Sequence, residues 1–218
     1  MPSKIAILTS GGVDSAILIH YGSKKFKSIY PLYIRNGHRW EDAELFWLKR
    51  FLKAASKRNV KPLSILDLTT RDLYHNHWSL TGKKVPGAKS HDRNVYLPGK
   101  NLLLISKAAV FCALRKITNL ALGPLQSNPF PDARPEFFKA MEKALEKGLG
   151  FSIKIHVPFL KCSKTQVMSL GRHLPLHLTF SCLSPTVRAR SPRPYIHCGK
   201  CNKCAERKRA FRLAGIKD

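Results

Sequence analysis

The chain has 218 residues, 44% of them apolar, which is enough for one folded domain with a buried core and too apolar for a disordered chain. It carries 39 Lys and Arg against 13 Asp and Glu, a formal net charge of +26, which favours phosphates, nucleic acid or an acidic protein surface as partners. No run approaches the ~20 apolar residues of a membrane span, and the start, Met1-Pro2-Ser3-Lys4, lacks a signal-peptide pattern, so a cytoplasmic location is expected.

Lys4 to Thr9 is expected to form a buried strand, followed by a glycine-rich turn and an apolar helix from Val13 to Tyr21. A second strand is expected over Lys27–Ile34, and a helix over Trp40–Arg58 with Leu45, Leu48, Leu52 and Ala55 on one face. That helix opens on acids (Glu41, Asp42, Glu44) and closes on bases (Lys49, Arg50, Lys53, Lys57, Arg58), which suits its dipole. Leu63–Leu68 is the third strand. Residues 76–100 lack periodicity and carry Gly82, Pro86, Gly87, Pro98 and Gly99, the composition of a functional or mobile connection. A helix over Asn101–Ile117, a strand over Asn119–Leu122, a Pro-rich loop at 124–135 and a helix over Pro135–Lys147 follow. A strand at Ser152–Val157 and a helix at Ser163–His173 come next, Ser163 being the helix N-cap. A Pro- and Arg-rich loop and a short basic helix end the chain. Strands alternating with helices imply an α/β fold with a Rossmann-like, mainly parallel sheet, whose ligands sit at the carboxyl ends of the strands.

The first turn reads Ser10-Gly11-Gly12-Val13-Asp14-Ser15. Placed between a buried strand and a helix N-terminus, it offers backbone N–H groups and a favourable dipole to phosphate. Gly11 and Gly12 permit positive φ, and Ser10 and Ser15 can donate hydroxyls. Asp14, the one acid among the first forty residues, would repel bare phosphate and instead suits a bridging Mg²⁺. The turn is neither GxxxxGK[ST] nor GxGxxG.

Cys198, Cys201 and Cys204 form C-x-x-C-x-x-C, and Cys182 lies sixteen residues upstream. Four thiolates at these spacings satisfy a closed, structural Zn²⁺ site; an iron–sulfur cluster is the other thiolate centre with such spacing. Neighbouring bases (Lys200, Lys203, Arg207, Lys208, Arg209) offset the thiolate charge. Cys112 and Cys162 are read as buried small residues, and His197 as a weaker ligand than Cys182. The division expected is a catalytic domain over 1–180 and a zinc knuckle with its basic helix over 181–218.

The string SGGVDS resembles the PP-loop of ATP pyrophosphatases. Together with Tyr33, His38 and Glu41, Pro98-Gly99-Lys100-Asn101, the segment Pro131–Phe137, Lys164, Cys182 and CGKCNKCAER at 198–207, it makes nearly the whole chain similar to the 7-cyano-7-deazaguanine synthase family (QueC, also called ExsB-like). The resemblance implies an adenine-nucleotide-alpha-hydrolase-like fold, queuosine biosynthesis, a homodimer, and ATP, Mg²⁺ and Zn²⁺ as cofactors. It implies that 7-carboxy-7-deazaguanine is adenylated with release of pyrophosphate, converted by ammonia to the amide, and adenylated again before loss of AMP leaves the nitrile. Carried onto this chain, Ser10, Gly11, Gly12, Val13, Asp14, Ser15, Lys100 and Asn101 bind the nucleotide. Asp14, Lys164, Asp132 and Arg134 serve the chemistry, with Arg134 suited to bidentate neutralisation of phosphate or carboxylate. Cys182, Cys198, Cys201 and Cys204 hold the metal.

The family's usual Gly-Arg-Asn is Gly99-Lys100-Asn101 here, and its Tyr-Pro-Asp-Cys-Arg loop is replaced around Gln126–Arg134. These departures and the basic charge leave other acceptors open: a ligase joining the activated deazaguanine to a protein amine, or a PP-loop enzyme modifying tRNA. A non-enzymatic zinc protein binding nucleic acid is the remaining alternative.

Overall fold

The computed structural model describes residues 3–218, so Met1 and Pro2 of the expected start lie outside the described residues. Strands β1 (Lys4–Leu8), β2 (Ser28–Arg35), β3 (Ser64–Asp67), β4 (Asn119–Ala121) and β5 (Lys154–His156) make one sheet in the order β3-β2-β1-β4-β5. Every pairing is parallel, with Leu8 opposite Leu32 on one side of β1 and Ala6 opposite Leu120 on the other. The expected α/β architecture is therefore present, and the chain reverses its winding between β1 and β4. Ligands of such sheets sit at that reversal, beyond the carboxyl ends of the strands.

Both sheet faces are covered, which is why the strands read as nearly continuous apolar runs. Ile5 and Ile7 point into one core with Ile17, Phe159, Met168 and Phe211, whereas Ala6 points into the other with Ile105, Phe111 and Phe138. Helices α1 (Val13–Ser23), α7 (Lys164–Leu170) and α8 (Asn202–Ala214) supply the first layer, and α5 (Lys100–Leu114) and α6 (Pro135–Leu149) the second. Helix α2 (Glu41–Ala54) packs Leu45 and Leu48 on Tyr33 of β2.

Several elements are shorter than the apolar pattern alone implies. Helix α2 stops at Ala54, so Lys57 and Arg58 lie in the turn closed by the Val60 N–H on the Lys57 carbonyl. Helix α5 starts at Lys100 and stops at Leu114, because Lys116 takes a φ of +51° and the chain turns back. Helix α7 runs only from Lys164 to Leu170, opened by a capping box in which Ser163 and Gln166 bond each other's backbone N–H. Between β3 and α5 lies α3 (Arg71–Tyr74), and the aperiodic stretch after it holds α4 (Trp78–Thr81) and a 3-10 turn at Asp92–Val95. A hairpin of β6 (Thr186–Val187) and β7 (Tyr195–Ile196) precedes α8. No helix among the described residues is long and apolar enough to cross a membrane.

Candidate active site

The turn from β1 into α1 stands at the winding reversal. Gly11 has φ +74°, and a Cβ there would lie 2.9 Å from the Glu44 carbonyl oxygen, so glycine is required twice over. Gly12 has an ordinary φ of −74°, so of the two glycines only Gly11 uses the positive φ that both permit. Its freedom is spatial: a Cβ would sit 3.3 Å from Ser10 Oγ. Ser15 Oγ donates to the Gly12 carbonyl at 3.0 Å and accepts from the Ser10 N–H at 3.3 Å, which holds the loop open. The first N–H groups of α1, from Val13 to Ser15, have no intrahelical acceptor.

A cleft of about 340 Å³ opens above this turn, lined by Trp40, Trp78, Phe130, Phe180 and Lys164 among others. A second lobe of about 260 Å³ is floored by the strand ends, including Leu8, Thr9, Tyr33, Ile34 and Leu122. Ser10, Asp14, Ser15, Glu44, Lys100 and Asn101 line both lobes.

Lys164, the first residue of α7, donates from Nζ to Asp14 Oδ2 at 2.7 Å. Its second carboxylate is Glu206 Oε1 at 3.5 Å, and Glu206 Oε2 in turn receives Lys203 at 2.7 Å. Burial alone would lower the Lys164 pKa, but the two carboxylates outweigh it and hold the ammonium above its usual value. Burial opposes ionisation of Glu206 too, yet Lys203 and Lys164 keep it down at about 2. Asp14 Oδ1 is buried and has no hydrogen-bond partner.

At the junction of the lobes the Tyr33 hydroxyl donates to Glu44 Oε2 at 2.7 Å. Burial drives Glu44 up to about 8 against the opposing pull of Lys100 and of the Tyr33 hydrogen bond. Burial also lowers the pKa of Lys100, with the Glu44 and Glu41 carboxylates working against it. The sequence points to Glu44 only as a dipole partner; its place three residues after Glu41, on the same helical face, is the signal for its exposure to the cleft. Glu41 itself accepts the backbone N–H groups of Asn36 and Gly37 and so shapes the loop after β2. His38 is 5% exposed, stacks on Trp40 at 4.7 Å and has no partner at either ring nitrogen. Burial, then Lys100 and His77, push it down to about 3, so the ring is neutral.

Asp132 and Asn101 are brought together. The Asn101 N–H donates to Asp132 Oδ2 at 2.8 Å and its side-chain amide to the Asp132 carbonyl at 2.9 Å, which pins the 131–133 turn to the start of α5. Both line the cleft. Arg134 does not: it is exposed, and its guanidinium donates to the Pro129 carbonyl at 3.3 Å. Backbone geometry explains this, since Arg134 is the N-cap of α6 and its side chain leaves the turn on the outer side.

Behind the cleft, ligand atoms of Cys182, Cys198, Cys201 and Cys204 all lie within 4.8 Å of one another. The Cys198–Cys204 sulfurs are 3.8 Å apart and the Cys201–Cys182 sulfurs 4.0 Å, too far for a disulfide and close to the ~3.8 Å edge of a tetrahedron with metal–sulfur bonds of ~2.3 Å. Backbone N–H groups of Leu183 and Cys198 donate to Cys201 and Cys182 sulfurs at 3.4 and 3.3 Å. His197 instead accepts the Ser181 N–H at 3.1 Å and stacks on Phe180. Cys112 is buried as expected, whereas Cys162 is only partly so. Helix α8 begins directly after Cys201, so the cluster also sets where Glu206, paired with Lys203, meets Lys164.

The family model described as "Queuosine biosynthesis protein QueC" matches residues 4–215. The chain is 31% identical over 231 residues to the 7-cyano-7-deazaguanine synthase of Leptospira interrogans serogroup Icterohaemorrhagiae serovar copenhageni, covering 99% of this chain and 89% of that relative. It is 28% identical over 239 residues to the 7-cyano-7-deazaguanine synthase of Persephonella marina, covering 99% and 95%. The solved U34-tRNA thiolase NcsA from Methanococcus maripaludis, described with its 4Fe-4S cluster, superposes with a TM-score of 0.50 at 13% identity over 99% of this chain and 73% of that one. At that identity the likeness is one of fold. With the family match running from the first residue of β1 to just past the end of α8, the chain belongs to the QueC family.

Proposed function

We propose that this enzyme is a 7-cyano-7-deazaguanine synthase that works by two adenylations. The observation that carries the reading is that Ser10, Asp14 and Ser15 line both lobes of the cleft, so one phosphate loop serves two adjoining binding spaces. The lobe floored by the strand ends suits adenosine, at the position where such sheets hold nucleotides. The lobe walled by Trp40, Trp78 and Phe130 suits a planar, heteroaromatic carboxylic acid. His38, neutral and with both ring nitrogens free, adds one donor and one acceptor at the edge of the first.

A carboxylate oxygen leaves poorly and AMP leaves well. The carboxylate therefore attacks the α-phosphorus of ATP, an acyl–O–P bond forms as the bond to pyrophosphate breaks, and ammonia then displaces AMP with loss of a proton. The resulting amide oxygen attacks a second ATP, pyrophosphate again departs, and loss of AMP and the two N–H protons leaves the nitrile. The turn from Ser10 to Ser15, through Gly11, Gly12 and Val13, cradles pyrophosphate with backbone N–H groups. Lys164 neutralises developing phosphate charge, and Lys100 and Asn101 adjoin the nucleotide. Asp132 acts by positioning Asn101. Glu44, poised near neutrality, is placed to receive nitrogen protons.

Asp14 Oδ1, buried and without a partner, fits the role of Mg²⁺ ligand; Mg²⁺ supplies neutralisation of phosphate oxygens. The four sulfurs fit one tetrahedral Zn²⁺, a structural ion, more closely than a cluster that seats each thiolate on a different iron. On this reading residues 1–180 are the catalytic domain and 181–218 the knuckle that positions Glu206. A protein-amine ligase or a tRNA modification has no comparable support.

The test is ATP–pyrophosphate exchange across a panel of aromatic carboxylates, followed by mass analysis of the product with ammonia. Exchange dependent on 7-carboxy-7-deazaguanine and appearance of the cyano product are expected. A folded, metal-loaded protein that gives neither overturns the reading.

A further inference from the structure

The charge of this chain is concentrated by the absence of acids. No Asp or Glu occurs between Glu44 and Asp67, nor between Glu146 and Glu206. The fold brings these two acid-free stretches together: the Trp47 indole N–H donates to the Tyr195 carbonyl at 2.9 Å, Arg50 donates to the Pro192 carbonyl at 3.1 Å, and Tyr195 packs edge-on against Phe46. The β6–β7 hairpin thus lies against α2. Its turn presents Arg188, Arg190 and Arg193 beside Lys49, Arg50 and Lys53 of the helix, all exposed. None of these cations enters an ion pair among the described residues. The arginine turn is also stiff: Arg188 N–H bonds the Pro194 carbonyl at 2.8 Å, Arg193 N–H bonds Ser191 Oγ at 3.1 Å, and Pro192 and Pro194 limit its freedom.

We infer that this α2–hairpin face is a docking surface for the phosphodiester backbone of a nucleic acid, separate from the cleft. A like-charged surface without counter-charges raises the free energy of the folded protein, and polyanion binding relieves it with release of condensed counterions. A protein partner fits less well. A stable protein interface needs an apolar centre, and this face offers one well-exposed apolar side chain, Val187. A phosphate backbone needs only spaced cations, and Arg and Lys supply them without base recognition. None of these cations lines the cleft, so docking and catalysis occupy different surfaces.

The test measures binding of the full-length protein to duplex RNA, duplex DNA and single-stranded RNA of one length, by fluorescence anisotropy over a salt series. The expected result is sequence-independent binding with a slope of log K on log salt of about −5 for duplex DNA. Replacing Arg188, Arg190 and Arg193 by Ala weakens it at least ~10-fold at low salt and flattens the slope by about 3. Lys49→Gln and Lys53→Gln together weaken it without removing any contact to the hairpin, and flatten the slope by about 2. Lys139, Lys143 and Lys147 on α6 are exposed cations on a face that also carries acids, and their replacement by Ala removes equal charge. It is expected to change binding less than ~2-fold. Tighter binding of RNA than of DNA supports the inference and names RNA as the source; equal binding supports it for either backbone. Equal losses from the α6 and hairpin variants overturn it in favour of diffuse charge, as does failure to bind any of the probes at low salt.

Discussion

Lys164 Nζ lies 2.7 Å from Asp14 Oδ2, joining the phosphate loop to a helix 150 positions along the chain. The pair is about three-quarters buried, with side-chain exposures of 21% and 26%, and Glu206 lies 3.5 Å behind the lysine. Each carboxylate restrains the ammonium, so Asp14 sets the lysine's position. Asp14→Ala is therefore expected to reduce ATP–pyrophosphate exchange about 100-fold or more, the scale of losing one preorganised electrostatic group. Thermal stability falls as well, because the largely buried Lys164 then keeps Glu206 alone as its counter-charge, so exchange is compared on folded protein. Exchange at the parental rate in a folded Asp14→Ala protein contradicts this role.

Glu44 gives a pH dependence with a definite sign. Its pKa rises from 4.5 to about 8 on folding, mainly through burial. Between those values the folded protein holds a proton that the unfolded chain has released, so folding stability declines as pH rises through this window. The decline is at most ~1.4 kcal/mol per pH unit and ends above the folded pKa. Glu44→Gln removes the titrating group, so its stability relative to the parent is expected to improve as pH increases from 4.5 to about 8. Urea titrations at several pH values measure this; parallel curves for the two proteins rule it out.

The two glycines of the loop separate conformational from steric demand. Gly11→Ala combines φ +74° with a Cβ 2.9 Å from a backbone oxygen of α2, which cannot move without the helix. A cost of about 1–3 kcal/mol is expected, with loss of ATP affinity. Gly12→Ala has an allowed φ and meets the Ser10 hydroxyl at 3.3 Å, which can rotate, so its cost should be the smaller. Thermal melts and ATP titration of both variants compare them; the reverse order refutes the argument.

The phosphate loop and the sulfur cluster are legible in the sequence because each is a short contiguous string whose chemistry depends on local spacing. The alternating strands are legible for the same reason: period and burial are local properties. What escapes is whatever depends on approach across the sheet. Glu44 reads as an ordinary helix acid until β2 brings Tyr33 beneath it. Glu206 reads as one charge in a basic helix until the cysteines aim it at Lys164. Arg134 carries the opposite lesson: its motif is present, but its backbone position as the N-cap of α6 turns the guanidinium away from the cleft.

The cysteine cluster and the cleft are mechanically linked, which makes metal removal informative. Cys201 is the N-cap of α8, and Lys203 and Glu206 lie in that helix's opening turns, where Glu206 reaches Lys164. Purified protein is expected to carry one zinc per chain, with iron at trace level, by elemental analysis. Stripping the ion, or Cys201→Ser, leaves clustered thiols without their common charge partner and frees the start of α8. Loss of a structural zinc site removes a large part of folding free energy. A substantial fall in melting temperature is therefore expected, accompanied by loss of ATP–pyrophosphate exchange, although no cysteine belongs to the phosphate loop. Re-addition of Zn²⁺ to the stripped wild-type protein restores both. Iron in stoichiometric amount, or full exchange activity in a metal-free protein, contradicts a structural zinc that holds Glu206 against Lys164.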